Sequence, residues 1–169
     1  KSAGQQNVTA AFTTKGDHVR FAPAISWYYS AFSVVGEFIG DYYEHAGAAA
    51  RNVTNYGWNV SGGWVITGEK STPSGVSPAK PFSWSKGTWG AFELVARVGG
   101  LDVDENVHTA GSAGSAFSYG TGLNWWLNDN VLFRLGIERT HFGGVRRNTT
   151  NAAIKDDELF VFSRLQLKF

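Results

Sequence analysis

The chain has no cysteine, so neither a disulfide framework nor a thiolate metal site is available. It also has no methionine and opens on Lys1 without a leader segment, which predicts that Lys1 is not the translated start. Charge of one sign is lacking too. The 15 Lys and Arg face 14 Asp and Glu, for a net charge of +1, which argues against a nucleic-acid surface or a polybasic membrane anchor. No apolar run approaches the ~18 residues that a membrane-spanning helix needs. The mean hydropathy of -0.20 does not exclude membrane strands, because alternating strands average out.

Signatures of catalysis are missing as well. His18, His45, His108 and His141 are well separated, and no H-E-x-x-H spacing occurs. There is no G-x-S-x-G elbow, which leaves a Ser and His141 as a weak hydrolase alternative. Gly120 and Gly122 are not a nucleotide fingerprint, since no helix follows them. Their small size lets the Trp126 face or a neighbouring strand pack closely. We therefore expect no enzyme, no catalytic residue, no metal and no cofactor.

What is present suits strands and tight turns: 21 Gly, and aromatics at 15%. The clearest stretch is 157–169. Counting back from Phe169 in steps of two gives Leu167, Leu165, Ser163, Val161 and Leu159; the other parity gives Lys168, Gln166, Arg164, Phe162, Phe160 and Glu158. Alternate side chains of a strand point to opposite faces. One face is thus almost wholly apolar and the other is polar at its end. This looks like the terminal strand of an outer-membrane β-barrel, with lipid on one face and lumen on the other. The closing strand of a soluble sandwich is the alternative.

Further alternating stretches span 17–29, 32–43, 57–69, 88–101, 116–127 and 131–142. With 157–169 they make about seven strands, most of them near the ~9–11 residues that a membrane crossing takes and beyond the soluble norm of about five or six. Pro23 marks an edge or a bulge in the first of them. Residues 30–31 and 128–130 read as short turns, and 44–56, 102–115 and 143–156 as loops. The whole chain, 1–169, reads as one domain. Within it, 1–16 is a loop or partial strand. Residues 70–87 hold Pro73, Pro78 and Pro81 and cannot be one regular strand. Counting from a periplasmic Phe169 puts both short turns in the periplasm, where short turns belong. It puts 70–87 there as well, as a long, ordered, proline-containing connection. Trp27, Tyr29, Trp64, Trp125, Trp126 and Phe169 lie near strand ends and suit a membrane-interface girdle; ordinary core aromatics of a soluble barrel are the alternative.

On this register the lumen receives Arg20, Arg97, Arg134, Arg164 and Lys168 together with Glu37, Asp41, Glu93 and Glu138. Glu93 and Arg97 stand four apart on one strand, as do Arg134 and Glu138, so each pair shares a face at a spacing of about 13 Å. Such charges can select ions by sign, and arginine grips phosphate oxygens in a fork. They can equally pair across strands and hold the wall.

Several blocks then resemble one family. They are G-Q-Q at 4–6, G-D-H-V-R at 16–20, Y-S-A-F at 29–32 leading to G-E-F at 36–38, and N-Y-G-W-N-V-S-G at 55–62. T-G-E-K at 67–70, P-F at 81–82, W-G-A-F-E-L-V-A-R at 89–97 and L-D-V-D at 101–104 follow. The tail adds G-L-N-W-W-L-N at 122–128, E-R-T at 138–140 and R-L-Q at 164–166. The blocks at 89–97 and 122–128 are the most specific. Together they resemble the C-terminal part of the phosphate-selective porin O and P family. The resemblance implies an all-β, antiparallel transmembrane barrel of about 16 strands, of which this chain supplies the second half. It implies a homotrimer in the bacterial outer membrane, with outer-membrane lipid and small anions or other small solutes as partners and no nucleic acid. No phosphate ligand is carried over. The expected function is a water-filled channel for diffusion of small solutes, with a mild anion or phosphate preference as a further hypothesis; a small closed eight-stranded barrel with a structural or adhesive role and a soluble ligand-binding barrel are the alternatives.

Overall fold

A computed structural model describes residues 14–45, 51–105, 113–144 and 156–168. Its strands are β1 (Thr14–Phe21), β2 (Ala24–Tyr29), β3 (Phe32–His45), β4 (Arg51–Val65), β5 (Ser71–Thr72), β6 (Gly75–Val76), β7 (Ala91–Asp102), β8 (Ser115–Trp126), β9 (Val131–Gly143) and β10 (Asp157–Leu167). Among the described residues there is no helix. The long strands form one antiparallel sheet in the order β1-β3-β4-β7-β8-β9-β10, with β2 also paired to β3, while β5 and β6 form a separate hairpin. Among the described residues the two edge positions, β1 with β2 and β10, do not pair with each other.

Alternation explains why these segments are strands. Residues that face each other across a ladder share a face, so the pairings sort every side chain. One continuous row runs Val60, Val98, Tyr119. Another runs Phe32, Trp64, Leu94, Leu123, Leu135, and both are apolar. The opposite face carries rows such as Glu37, Asn59, Gly99, Ser118 and Thr140. Among the described residues no second layer packs on most of the apolar face: Ile25 is 72% exposed, Val161 68% and Leu165 61%. Val53 and Val65 are the largest fully buried side chains among the described residues. A soluble domain would pack such a face against a second layer.

Several strand limits differ from the sequence reading. Stretch 17–29 is interrupted at 22–23, because Pro23 has no N–H to donate. The register survives the break, with Phe21 opposite Gly40 and Ala24 opposite Glu37, and the Pro23 carbonyl still accepts from Phe38 N–H at 3.0 Å. β3 runs on to His45 and β4 begins at Arg51, so most of the expected 44–56 loop is strand. That end of the sheet needs no apolar alternation. Instead Val53 packs with Tyr43 and Val103, Thr54 N–H donates to Asp104 Oδ2 at 3.0 Å and Asp104 N–H to Asn55 Oδ1 at 3.0 Å. β4 stops at Val65, where Gly68 N–H closes a turn on the Val65 carbonyl at 3.0 Å. The calls on 1–13 lie outside the described residues.

The connection from β4 to β7 is folded. It starts with Ser71 N–H donating to the Ser30 carbonyl at 2.8 Å, which ties it to the β2–β3 turn. The β5–β6 hairpin then lies against the polar face of the sheet, with Val76 packed among Ala31, Val65 and Ala91 and against the partly buried Trp126. Ser77 Oγ donates to Asp129 Oδ1 at 2.5 Å. The chain passes the end of β8, where Phe82 N–H donates to the Leu127 carbonyl at 2.7 Å. It emerges on the apolar side, where the Phe82 ring meets Trp125 and Trp89 at 5.5 and 5.9 Å. The connection thus grips the end of β8 from both faces.

It re-enters the sheet through Gly90. The φ of +76° there favours glycine, and a Cβ would stand 2.2 Å from the Trp126 carbonyl oxygen. Gly90→Ala is therefore expected to lower stability by at least ~1–3 kcal/mol, read as a lower midpoint in urea unfolding of the membrane-inserted protein. An unchanged midpoint would mean that the clasp is not built as described.

Candidate pore wall

All the expected strand-borne lumen charges fall on the polar face. Arg20 stands opposite Asp41. Glu37 stands opposite Asn59. Arg97 and Glu138 share a row through Gly120. Glu93, Asn124, Arg134 and Arg164 share another. Lys168 lies one residue beyond β10, its N–H donating to the Asn130 carbonyl at 2.9 Å.

The strand geometry decides which charges meet. The two same-strand combinations seen in the sequence do not form ion pairs. Arg97 instead reaches across Gly120 to Glu138, Nη1 to Oε2 at 3.7 Å. Arg20 Nε donates to Asp41 Oδ1 at 3.1 Å, and the same oxygen takes His18 Nε2 at 2.6 Å. His18 was missed in the sequence although it shares the parity of Arg20. Glu37 accepts from Asn59 Nδ2 at 3.2 Å. Glu93 is 7% exposed, and its Oε2 accepts from Asn124 Nδ2 at 2.8 Å and from the Trp126 indole at 3.2 Å. Arg134 and Arg164 stand directly opposite each other. Neither has an acidic partner within 4.0 Å among the described residues. A hollow of about 270 Å³ on this face is lined by Ser61, Arg97, Gly120, Arg134, Glu138 and Phe162, among others.

The small residues between these charges let strands close up. A Cβ on Gly122 would be 2.6 Å from the Leu135 carbonyl oxygen of β9. The close packing expected at Gly120 and Gly122 is thus with a neighbouring strand.

On the apolar face one group of aromatics lies at the end with the short turns, and a second, Phe21, Phe38, Tyr56, Trp58, Phe117 and Tyr119, lies farther along the strands. Trp27 stacks on Tyr29 at 5.9 Å, Phe32 on Trp64 at 6.1 Å and Phe92 on Trp125 at 5.8 Å. The β4–β7 connection adds Phe82, Trp84 and Trp89, whose rings the sequence pattern did not place. Trp126 corrects the reading above. It belongs to the polar face, under the β5–β6 hairpin, because it follows Trp125 by one residue in a strand. Phe169 lies outside the described residues. At the opposite end of the apolar face, Arg139 and His141 both approach Asp157 Oδ1, at 3.3 and 3.4 Å. The sequence reading had named His141 only in the weak hydrolase alternative and had given Arg139 and Asp157 no role. Among the described residues no three His, Asp or Glu side chains gather as a metal site would require.

One antiparallel sheet of long strands, apolar along the body of one face and polar and charged over the other, without a central core among the described residues, is the wall of a transmembrane β-barrel. The sequence profile of the family described as phosphate-selective porin O and P matches residues 1–169, and the chain belongs to that family of bacterial outer-membrane porins. A search among curated proteins finds no match.

Proposed function

We propose that the protein forms a water-filled channel across the bacterial outer membrane for passive diffusion of small solutes, with a preference for anions such as phosphate. The observation that carries this reading is the polar face itself. It holds Arg20, Arg97, Arg134 and Arg164 with Glu37, Asp41, Glu93 and Glu138 on strands whose other face is exposed apolar side chains. A filled, closed barrel needs side chains that fill its interior, whereas between the charges this face is rich in small residues such as Ser61, Gly99, Ser118 and Gly120. Arg20 pairs with Asp41 and Arg97 with Glu138, Glu37 and Glu93 accept only from neutral donors, and with Lys168 the expected lumen set numbers five basic against four acidic groups. Water then lines the charged face and lipid the apolar one, with Trp27, Tyr29, Trp64 and Trp125 at the periplasmic interface. The β4–β7 connection lies at the periplasmic mouth. Both sheet edges need partner strands in hydrocarbon, which a larger barrel, assembled as a homotrimer, supplies. In this reading the chain is not an enzyme.

The test is ion current through the full-length porin in a planar bilayer under a salt gradient. The reversal potential is expected on the anion side. The triple variant Arg97→Glu, Arg134→Glu and Arg164→Glu is expected to move it to the cation side. A current whose reversal ignores the triple variant would remove the anion preference and keep the channel. Absence of current would remove the channel.

A further inference from the structure

We propose that residues 80–89, at the end of the sheet where β7 begins and β8 stops, bind an anionic glycerophospholipid of the periplasmic leaflet. This rests on the apolar face meeting lipid, and it goes further by naming a headgroup site and its chemistry. Residues 83–88 form a closed loop. Ser83 N–H donates to the Thr88 carbonyl at 3.0 Å, and Thr88 N–H to the Ser83 carbonyl at 3.2 Å. Thr88 Oγ1 donates to the Pro81 carbonyl at 2.6 Å, and the Ser83 and Ser85 hydroxyls stand 3.2 Å apart. This loop presents Trp84, at 83% the most exposed large hydrophobic side chain among the described residues.

The indole is not isolated. Phe92 stacks on Trp125 at 5.8 Å, Trp125 meets Phe82 at 5.5 Å, Phe82 meets Trp89 at 5.9 Å and Trp89 meets Trp84 at 6.2 Å. The rings lead from the apolar face of the sheet out to the loop, so this aromatic surface continues the one that meets acyl chains. An indole suits that boundary because its body is apolar and its N–H seeks an acceptor. The Trp125 N–H has one in the Trp89 carbonyl at 2.6 Å, whereas those of Trp84 and Trp89 have none among the described residues. A hollow of about 170 Å³ beside the rings is lined by Phe82, Ser83, Trp84, Gly87, Thr88 and Trp89.

Charge selects the lipid. From Lys70 to Phe92 the chain holds three lysines, Lys70, Lys80 and Lys86, and no acid. Lys80 and Lys86 flank Trp84, are exposed, and have no acidic partner within 4.0 Å among the described residues. Acids at this end are engaged elsewhere: Glu69 Oε1 accepts from Ala79 N–H at 3.3 Å and Asp129 Oδ1 from Ser77 Oγ at 2.5 Å. A lysine can lay its stem along apolar surface and hold its ammonium at headgroup level. Two such cations exceed the single charge of a phosphodiester, which favours a headgroup with no cation of its own, such as phosphatidylglycerol, over a zwitterionic one.

The experiment reads lipid contact in the full-length porin, reconstituted in phosphatidylcholine vesicles with a minor fraction of brominated phosphatidylglycerol or of brominated phosphatidylcholine. Bromine quenches indole emission on contact, and the Trp84 signal is the difference between wild type and Trp84→Phe. Both lipids are expected to quench it, with a relative association constant about fivefold or more in favour of phosphatidylglycerol. In the double variant Lys80→Gln and Lys86→Gln this preference is expected to fall close to one while phosphatidylcholine still quenches. The Trp58 signal, taken in the same way from the other end of the apolar face, reports whether that face meets lipid at all. Migration of each variant as a compact, heat-modifiable band shows that it is folded. Equal quenching of Trp84 by the two lipids in wild type, or a preference that survives the double lysine variant, would overturn the site and leave the porin reading standing. Quenching of Trp58 but not of Trp84 would overturn it too, and would mean that another protein surface, such as a second copy of the chain, covers the loop. If neither indole is quenched, the apolar face does not meet lipid and the porin reading itself fails.

Discussion

Val98→Arg is expected to destabilise the membrane-inserted protein by about 2–4 kcal/mol, whereas the same change at Val35 is expected to cost less than about 1 kcal/mol. Both residues are valines in the body of long strands, so propensity and size do not separate them. Their faces do. Val98 is 39% exposed in the apolar row between Val60 and Tyr119. Val35 lies on the polar face between Ser26 and Ser61. A guanidinium at position 98 must leave water for hydrocarbon, and at position 35 it stays wet. The difference is read from equilibrium urea unfolding of the full-length porin in phospholipid vesicles. Equal losses at the two positions would mean that the apolar face does not meet lipid.

Trp126→Ala is expected to cost about 2–4 kcal/mol and to raise single-channel conductance. The indole fills the space under the β5–β6 hairpin, where a Cβ on Gly75 would already stand 2.4 Å from the ring. It also donates to Glu93, a buried carboxylate that would be left with the single amide of Asn124. Without the ring the hairpin loses its seat on the polar face, which is expected to widen the pore mouth at that end of the sheet. Trp125→Ala is the contrasting variant. It removes rings and a bond to the Trp89 carbonyl from the apolar side only, so it is expected to lower stability without opening the mouth. Unchanged conductance in Trp126→Ala would mean that the bonds of Ser71 and Ser77 hold the hairpin by themselves.

The sheet was legible because its physics is binary. Wherever one face meets an apolar medium and the other a polar one, residues alternate, and the stretches from Phe32 onward reveal their faces by parity alone. Legibility failed where that contrast disappears. Residues 51–56 are strand, but Asn52, Thr54 and Asn55 sit where neither face is strongly apolar, so they read as loop. The charged rows were legible as a set, because parity places Arg134 and Arg164 on one face. Their opposition was not, because register is a property of two strands and the turn between them. The pairing of Arg97 with Glu138 rather than Glu93 was hidden for the same reason. The fold of the β4–β7 connection was least visible, since its order comes from contacts with β8 that no local pattern announces.

The grip on β8 bears on how the barrel reaches one assembled form. Alternation forbids a strand to slide by one residue, since every side chain would change face, but it tolerates a slide of two. Apolar patterning alone would therefore leave a ladder of near-equivalent alignments during insertion. The connection removes that degeneracy. Its Phe82 N–H takes the Leu127 carbonyl, Trp126 fits the hairpin on one side and Trp125 meets Phe82 on the other. Only one alignment of β8 satisfies all three, so this segment acts as an index mark for the register of β8 against its neighbours.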